Sequence, residues 1–277
     1  MREYLVPCPR SPRRSLQPPA MDALNEAEAS LPRILCLHGG GTSAEIFQIQ
    51  CRVIIKRLKG LFRLVFVDAP FTSRPHPAIV PYFGDDGTFY RWLRWNDDEP
   101  YDSFAEAKIL DCIETAMRTD GGTGPWVGVM GFSQGAKMAA SLLWSQEKLR
   151  GAAGEEGPFR FGVFMAGRAP VVVLDPEQKL PKTRYTAHID ELSTSFQDWA
   201  PNNEGEHALA TPTLHVHGLQ DPGLDMHRAL LKDYCKTGTT RLVEWDGGHR
   251  LPIQAGDVEK VVVGILAMAA EAGVLKN

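Results

Sequence analysis

The chain of 277 residues has no apolar run long enough to cross a bilayer and no internal repeat. It has no excess of basic charge. A formal net charge of −4 leaves no electrostatic footprint for nucleic acid. Cysteine is sparse: Cys8, Cys36, Cys51, Cys112 and Cys235 are odd in number, scattered and without C-x-x-C spacing, which argues against a disulfide framework and against a zinc site. A reducing compartment follows, and the cytoplasm is the expected location. Cys36, Cys51 and Cys112 fall inside apolar periodic segments and read as small core residues. With 43% hydrophobic and 23% charged residues, what remains is a globular protein with ample sequence to bury a core.

Residues 1–30 combine Arg2, Arg10, Arg13 and Arg14 with Pro7, Pro9, Pro12, Pro18 and Pro19, and contain no apolar stretch of signal-peptide length. The prolines oppose the amphipathic helix of a mitochondrial presequence. A disordered tail is therefore expected over 1–30 and a folded domain over 31–277.

From Arg33 onward, short apolar runs alternate with helical periodicity. Strands are expected at Arg33–His38, Phe62–Val67, Trp126–Met130, Phe159–Met165, Pro212–His217 and Thr240–Trp245. Helices are expected at Ala44–Leu58, with Ser43 as N-cap, and at Ser103–Met117, Ala136–Gln146, Gly223–Cys235 and Asp257–Glu271. Such alternation predicts an α/β fold, a mostly parallel sheet of about six strands flanked by helices. Two connections are long. Residues 71–103 are rich in aromatic rings and read as a pocket wall or lid, with Phe71, Tyr90, Trp92 and Trp95 as candidate substrate contacts; the alternative is that the rings cover the core. Arg91 and Arg94 either face solvent or meet an acidic partner at the pocket mouth. Residues 167–211 form the second connection, in which Phe196 and Trp199 offer apolar surface to a pocket or to the core.

Gly131-Phe132-Ser133-Gln134-Gly135 is a G-x-S-x-G motif lying between an expected strand and an expected helix. In that setting the serine occupies a strained turn, and the flanking glycines let strand and helix pass closely. The Gln134 N–H would then open a helix, where a free donor and the positive end of the helix dipole can hold an oxyanion. The motif alone is also what an ordinary glycine-flanked turn looks like, so its partners matter. His38-Gly39-Gly40-Gly41 directly follows the first strand and suits the second half of an oxyanion hole, with Gly40 N–H as the candidate donor and Gly41 as the alternative. His38 reads as structural. Asp221 follows the fifth strand and His249 sits in a glycine-permitted loop after the sixth, which gives the chain order Ser133, Asp221, His249. Asp221 also fits an N-cap, and Asp225 and Asp246 compete for the acid's role. His215 and His217 form an H-x-H pair on one strand face, without acidic or cysteine ligands at fitting spacing, and read as packing rather than metal ligands.

Together, Leu37-His38-Gly39-Gly40-Gly41-Thr42-Ser43, Val67-Asp68-Ala69-Pro70-Phe71, Gly131-Phe132-Ser133-Gln134-Gly135-Ala136, His215-Val216-His217-Gly218 with Asp221, and Asp246-Gly247-Gly248-His249-Arg250-Leu251-Pro252 resemble the FSH-type serine hydrolases of the α/β-hydrolase superfamily. The resemblance covers most of the chain from Arg33. It implies an α/β-hydrolase fold lacking the first strands of the largest hydrolases, and a triad at Ser133, Asp221 and His249. It also implies similarity to fungal members that release polyketides from carrier-protein thioesters, with an acyl carrier protein of a polyketide synthase as partner.

The expected chemistry is two-step acyl transfer on a thioester or ester of an apolar acyl chain, needing neither metal nor organic cofactor. One alternative is a carboxylesterase or carbon–carbon bond hydrolase acting without a carrier protein. Another is a non-catalytic binding protein that keeps the hydrolase fold.

Overall fold

The computed structural model describes residues 26–153, 157–177, 179–180 and 183–275; most of the expected tail, residues 1–25, lies outside the described residues. The tail's last residues are ordered, contrary to expectation. They form α1 (Glu26–Ala29), and the Ala29 carbonyl accepts hydrogen bonds from Thr123 and Gly124 N–H at 2.7 and 3.0 Å.

Then follow β1 (Arg33–Leu37), α2 (Ala44–Gln50), α3 (Arg52–Leu58) and β2 (Arg63–Val67). The single helix expected over 44–58 is two helices, because Cys51 takes φ −82° and ψ 3° between them. Ser43 does cap α2, its hydroxyl accepting from Ile46 N–H at 3.2 Å. The aromatic insert is not irregular: it holds β3 (Phe71–Ser73), α4 (Val80–Phe83) and β4 (Phe89–Arg91), with β3 and β4 paired antiparallel. Next come α5 (Ala105–Thr119), β5 (Trp126–Phe132), α6 (Gln134–Ala153) and β6 (Phe161–Met165). Helix α6 runs past its expected end at Gln146, whose side-chain amide bonds both the N–H and the carbonyl of Phe159 and so fixes the approach to β6. The chain closes with β7 (Thr213–Gly218), α7 (Leu224–Asp233), β8 (Thr240–Trp245) and α8 (Ala255–Glu271).

Six strands form one sheet in the order β2-β1-β5-β6-β7-β8, and every described pair is parallel. Both faces are covered, which is why the strands read as nearly continuous apolar runs. Leu35, Leu37, Val129 and Phe164 point into one core with α5 and α6, while Ile34, Cys36, Met130 and Met165 point into the other with α2, α3 and α8. The order reverses between β1 and β5, since β1 leads outward to β2 whereas β5 leads to β6. Loops leaving the carboxyl ends of β1 and β5 therefore diverge and leave a crevice.

The second long connection reaches the cavity through Arg168, but Phe196 and Trp199 do not line it. Phe196 is buried in the core beside Val171, Leu174 and Ile189, and its ring meets Trp199 edge-on at 5.1 Å. Cys36 and Cys51 are buried as expected, whereas Cys112 is only half-buried and its thiol meets the Asp68 carbonyl at 3.1 Å. Among the described residues no helix is long and apolar enough to cross a membrane.

His215 and His217 are buried on β7, the first 3.1 Å from the Thr213 hydroxyl and edge-on to Phe164. The His217 ring continues the row toward His227 of α7, 5.7 Å away. Burial pushes His215 and His227 down to about 3 and His217 to about 4, so all three rings are neutral at pH 6.5 in the folded protein. The unfolded chain takes up these protons as pH falls through about 6.5, well before the folded one does, so stability falls across the window below that value. The cost is on the order of 3–5 kcal/mol per histidine at the acid end, an upper bound. We expect cooperative unfolding between pH 6.5 and 4, and His215→Phe should move its midpoint to lower pH. Circular dichroism against pH checks this; an unmoved midpoint would contradict it.

Candidate active site

Strand β5 turns into α6 at Ser133, which has φ 53°, a left-handed conformation that side-chain-bearing residues adopt only under constraint. The constraint is visible on both sides. A Cβ at Gly131 would stand 2.2 Å from the Gly135 carbonyl oxygen, and one at Gly135 would stand 2.0 Å from that of Leu37. Ser133 N–H donates to the Met165 carbonyl at 2.8 Å, which fixes the turn against β6. The hydroxyl is left at the end of the sheet, facing the crevice.

The acid and the histidine arrive from β7 and β8. Their loops also pass closely, since a Cβ at Gly218 would meet the Gly247 carbonyl oxygen at 2.4 Å. His249 Nε2 lies 2.9 Å from Ser133 Oγ, and His249 Nδ1 lies 2.7 Å from Asp221 Oδ2. Asp221 Oδ1 accepts from Gly223 N–H at 2.8 Å. Burial raises the Asp221 pKa, but the His249 bond and the Gly223 N–H outweigh it, so the group stays below its ordinary value and ionised. An ionised carboxylate only accepts, so His249 carries its proton on Nδ1 and presents Nε2 to the Ser133 hydroxyl. The competing acids are elsewhere: Asp246 accepts from Gln220 Nε2 at 2.6 Å, and Asp225 lies in the first turn of α7.

Gly40 and Gln134 both border the cavity beside Ser133. Gln134 opens α6, so its N–H has no acceptor within the helix. Gly41 is not a free donor, because its N–H is spent on the Tyr90 carbonyl at 2.8 Å. His38 is structural: Nε2 accepts from Ala69 N–H at 3.0 Å and Nδ1 faces the Gly39 carbonyl at 2.7 Å, which holds the glycine loop against the end of β2.

The Gln134 side chain has a role that its place in the motif did not signal. Its Oε1 accepts from Trp92 and Leu93 N–H at 2.6 and 3.2 Å, and its Nε2 donates to the Leu93 carbonyl at 2.9 Å. The aromatic insert is thereby bonded to the elbow itself.

Around the relay opens a cavity of about 790 Å³, walled chiefly by the insert through Thr72, Arg74, Pro75, His76, Trp95 and Glu99. Of the four aromatic residues expected to line it, only Trp95 does. Trp92 is fully buried, its indole N–H donating to the His38 carbonyl at 3.0 Å; Tyr90 packs toward His38, and Phe71 lies beneath the Arg91 guanidinium at 5.2 Å. Arg91 is buried and sits 3.9 Å from Glu99, while Arg94 donates to the Glu99 and Asp97 carbonyls. Arg168 and His76 also line the cavity, and nothing in their spacing marked them. Among the described residues, Asp221, His227 and His249 bring three metal-type donor atoms within 4.8 Å of one another.

We expect Gly135→Ala to destabilise the protein by about 3 kcal/mol or more, because backbone rather than a movable side chain occupies the Cβ position. Urea unfolding checks this; a loss below about 1 kcal/mol would contradict the close approach.

The family model described as "Serine hydrolase (FSH1)" matches residues 28–261. Esterase dbaE of Emericella nidulans is 46% identical over 260 residues, covering 89% of this chain and 94% of its own. Esterase citA of Monascus ruber is 45% identical over 251 residues, covering 88% and 94%. Among solved structures, the Bacillus cereus carboxylesterase superposes with a TM-score of 0.51 at 16% identity, covering 88% of this chain and 92% of its own, a likeness of fold. The chain belongs to the FSH1 family of serine hydrolases and is a hydrolytic enzyme of the α/β-hydrolase fold.

Proposed function

We propose that Ser133, His249 and Asp221 are the catalytic triad of an enzyme that hydrolyses an ester or thioester in the 790 Å³ cavity. The observation that carries this reading is the unbroken relay of 2.9 and 2.7 Å from Ser133 Oγ through His249 to Asp221. As Ser133 Oγ bonds to the substrate carbonyl carbon, its proton passes to His249 Nε2, and Asp221 stabilises the imidazolium. Gly40 and Gln134 N–H hold the carbonyl oxygen as it becomes anionic. The leaving alcohol or thiol departs with the proton from His249. Water, deprotonated by the same ring, then attacks the acyl-enzyme and frees the acid.

The cavity lies within the range of about 300–1,000 Å³ usual for small-molecule sites. Its apolar surface comes from Trp95, Pro75, Pro77, Pro100 and Pro222, and it is interspersed with charged groups. An acyl chain that is wholly apolar suits it less well than one bearing oxygens. Release of a polyketide acyl group from the phosphopantetheine arm of a carrier protein is our finer reading; it is supported by the FSH-type resemblance and by a cavity of this size and mixed lining.

Matched acyl-pantetheine thioesters and oxygen esters should be compared in wild type and variants. We expect Ser133→Ala to lose at least about 10³-fold in kcat and Asp221→Asn about 10³–10⁴-fold, with folding intact. Undiminished turnover by Ser133→Ala would remove the assignment. Preference for thioester over oxygen ester of the same acyl group supports the carrier-bound substrate; the reverse preference favours a free carboxylic ester.

A further inference from the structure

Among the described residues three arginines line the cavity, and two of them have a carboxylate within 4 Å, although Arg91 Nε, like Arg168 Nε, is buried without a hydrogen bond. Arg74 pairs with Asp98 at 3.4 Å, and Arg91 faces Glu99 at 3.9 Å while donating to the Pro100 carbonyl at 2.9 Å. Arg168 has neither a hydrogen-bond acceptor nor a carboxylate at ion-pair distance among the described residues, and its Nε is buried without a partner. The acid that acts on it through space is Asp221, whose oxygens are engaged by His249 and by Gly223 N–H.

The side chain is nevertheless held in place. Its guanidinium carbon stands 5.0 Å from the centroid of the Trp95 ring, reaching from the segment after β6 to the insert on the opposite wall. One terminal nitrogen lies 2.5 Å from where a Cβ on residue 223 would be, so Gly223 leaves the guanidinium this position. A guanidinium held over a ring by cation–π attraction gains no hydrogen-bond acceptor from it, and its N–H donors can receive a planar oxyanion through two parallel bonds. A part-buried cation without a partner is costly, and an arriving anion offsets that cost.

We propose that Arg168 recognises an anionic oxygen group of the substrate, so that the enzyme acts on acidic esters or thioesters. This rests on the triad reading above and names the substrate class of the same site. The anion has two possible sources: a carboxylate or enolate on the acyl group, or the phosphate of a phosphopantetheine leaving group.

Two matched pairs separate these sources. One is the p-nitrophenyl half-ester of glutarate against p-nitrophenyl hexanoate; the other is butyryl-phosphopantetheine against butyryl-pantetheine. In wild type, Arg168→Gln and Arg168→Lys, the readout is the ratio of kcat/KM for the charged member to that for its neutral partner. We expect Arg168→Gln to lower this ratio about 10- to 100-fold in one pair, chiefly through KM, with Arg168→Lys recovering part of it. A fall in the glutarate pair places the anion on the acyl group, and a fall in the phosphopantetheine pair places it on the leaving group. A structural role would depress both members alike. Ratios unchanged within about twofold in both pairs would overturn the proposal. Should Arg168→Gln not fold, Trp95→Leu, which removes the stacking ring from a part-exposed position, must lower the same ratio. Calorimetric titration of Ser133→Ala and Ser133→Ala/Arg168→Gln with the same four compounds gives the ratio as affinities without turnover. Failure of the triad reading is thus seen separately, as wild type that cleaves none of the four.

Discussion

At Gly135 the backbone of α6 lies so close to Leu37 that no side chain could stand between them, and the site depends on that approach. It brings the start of α6 against the end of β1, and so sets the first N–H of the helix beside the glycine loop that follows β1. Ser133 is held between these segments at φ 53°, a conformation the sheet enforces through the hydrogen bond to Met165. Strain at Ser133 is thereby maintained by the packing of the segments around it. The reversal of strand order between β1 and β5 is the topological expression of the same arrangement.

The electrostatics fall into two zones. Deep under the sheet's carboxyl end, His215, His217 and His227 are kept neutral by burial. One step nearer the cavity, Asp221 is buried as well, yet it remains charged because two donors serve it. The difference is hydrogen bonding rather than depth. Asp221 can therefore orient His249 while the nearby rings add no competing positive charge. Gln134 joins this zone to the insert: its backbone borders the crevice and its side chain fastens the cavity wall, so placement of the wall and of the proposed oxyanion donors is coupled through one residue.

Much of this was legible in the sequence. The alternation of apolar runs and helical periods gave the six-stranded parallel sheet, and glycine spacing around Ser133, together with the chain order of Asp221 and His249, placed the relay. These are local signals, set by backbone geometry within a few residues. What was not legible depends on distant partners. The helix over 44–58 breaks at Cys51 although its apolar periodicity runs on. Phe71, Tyr90 and Trp92 satisfy composition equally well inside or outside a cavity, and only the Gln134 clamp and the indole bond to His38 turn Trp92 inward. Arg168 carried no motif at all. Its significance lies in having no counter-ion at ion-pair distance among the described residues, and a sequence does not show that.

The central claim is that one serine, activated by this relay, is the nucleophile. The direct measurement is reaction with a fluorophosphonate, followed by intact-mass and peptide mass spectrometry. We expect a single adduct on the peptide containing Ser133 in wild type and none in Ser133→Ala. An adduct on another residue, or undiminished labelling of Ser133→Ala, would contradict the claim.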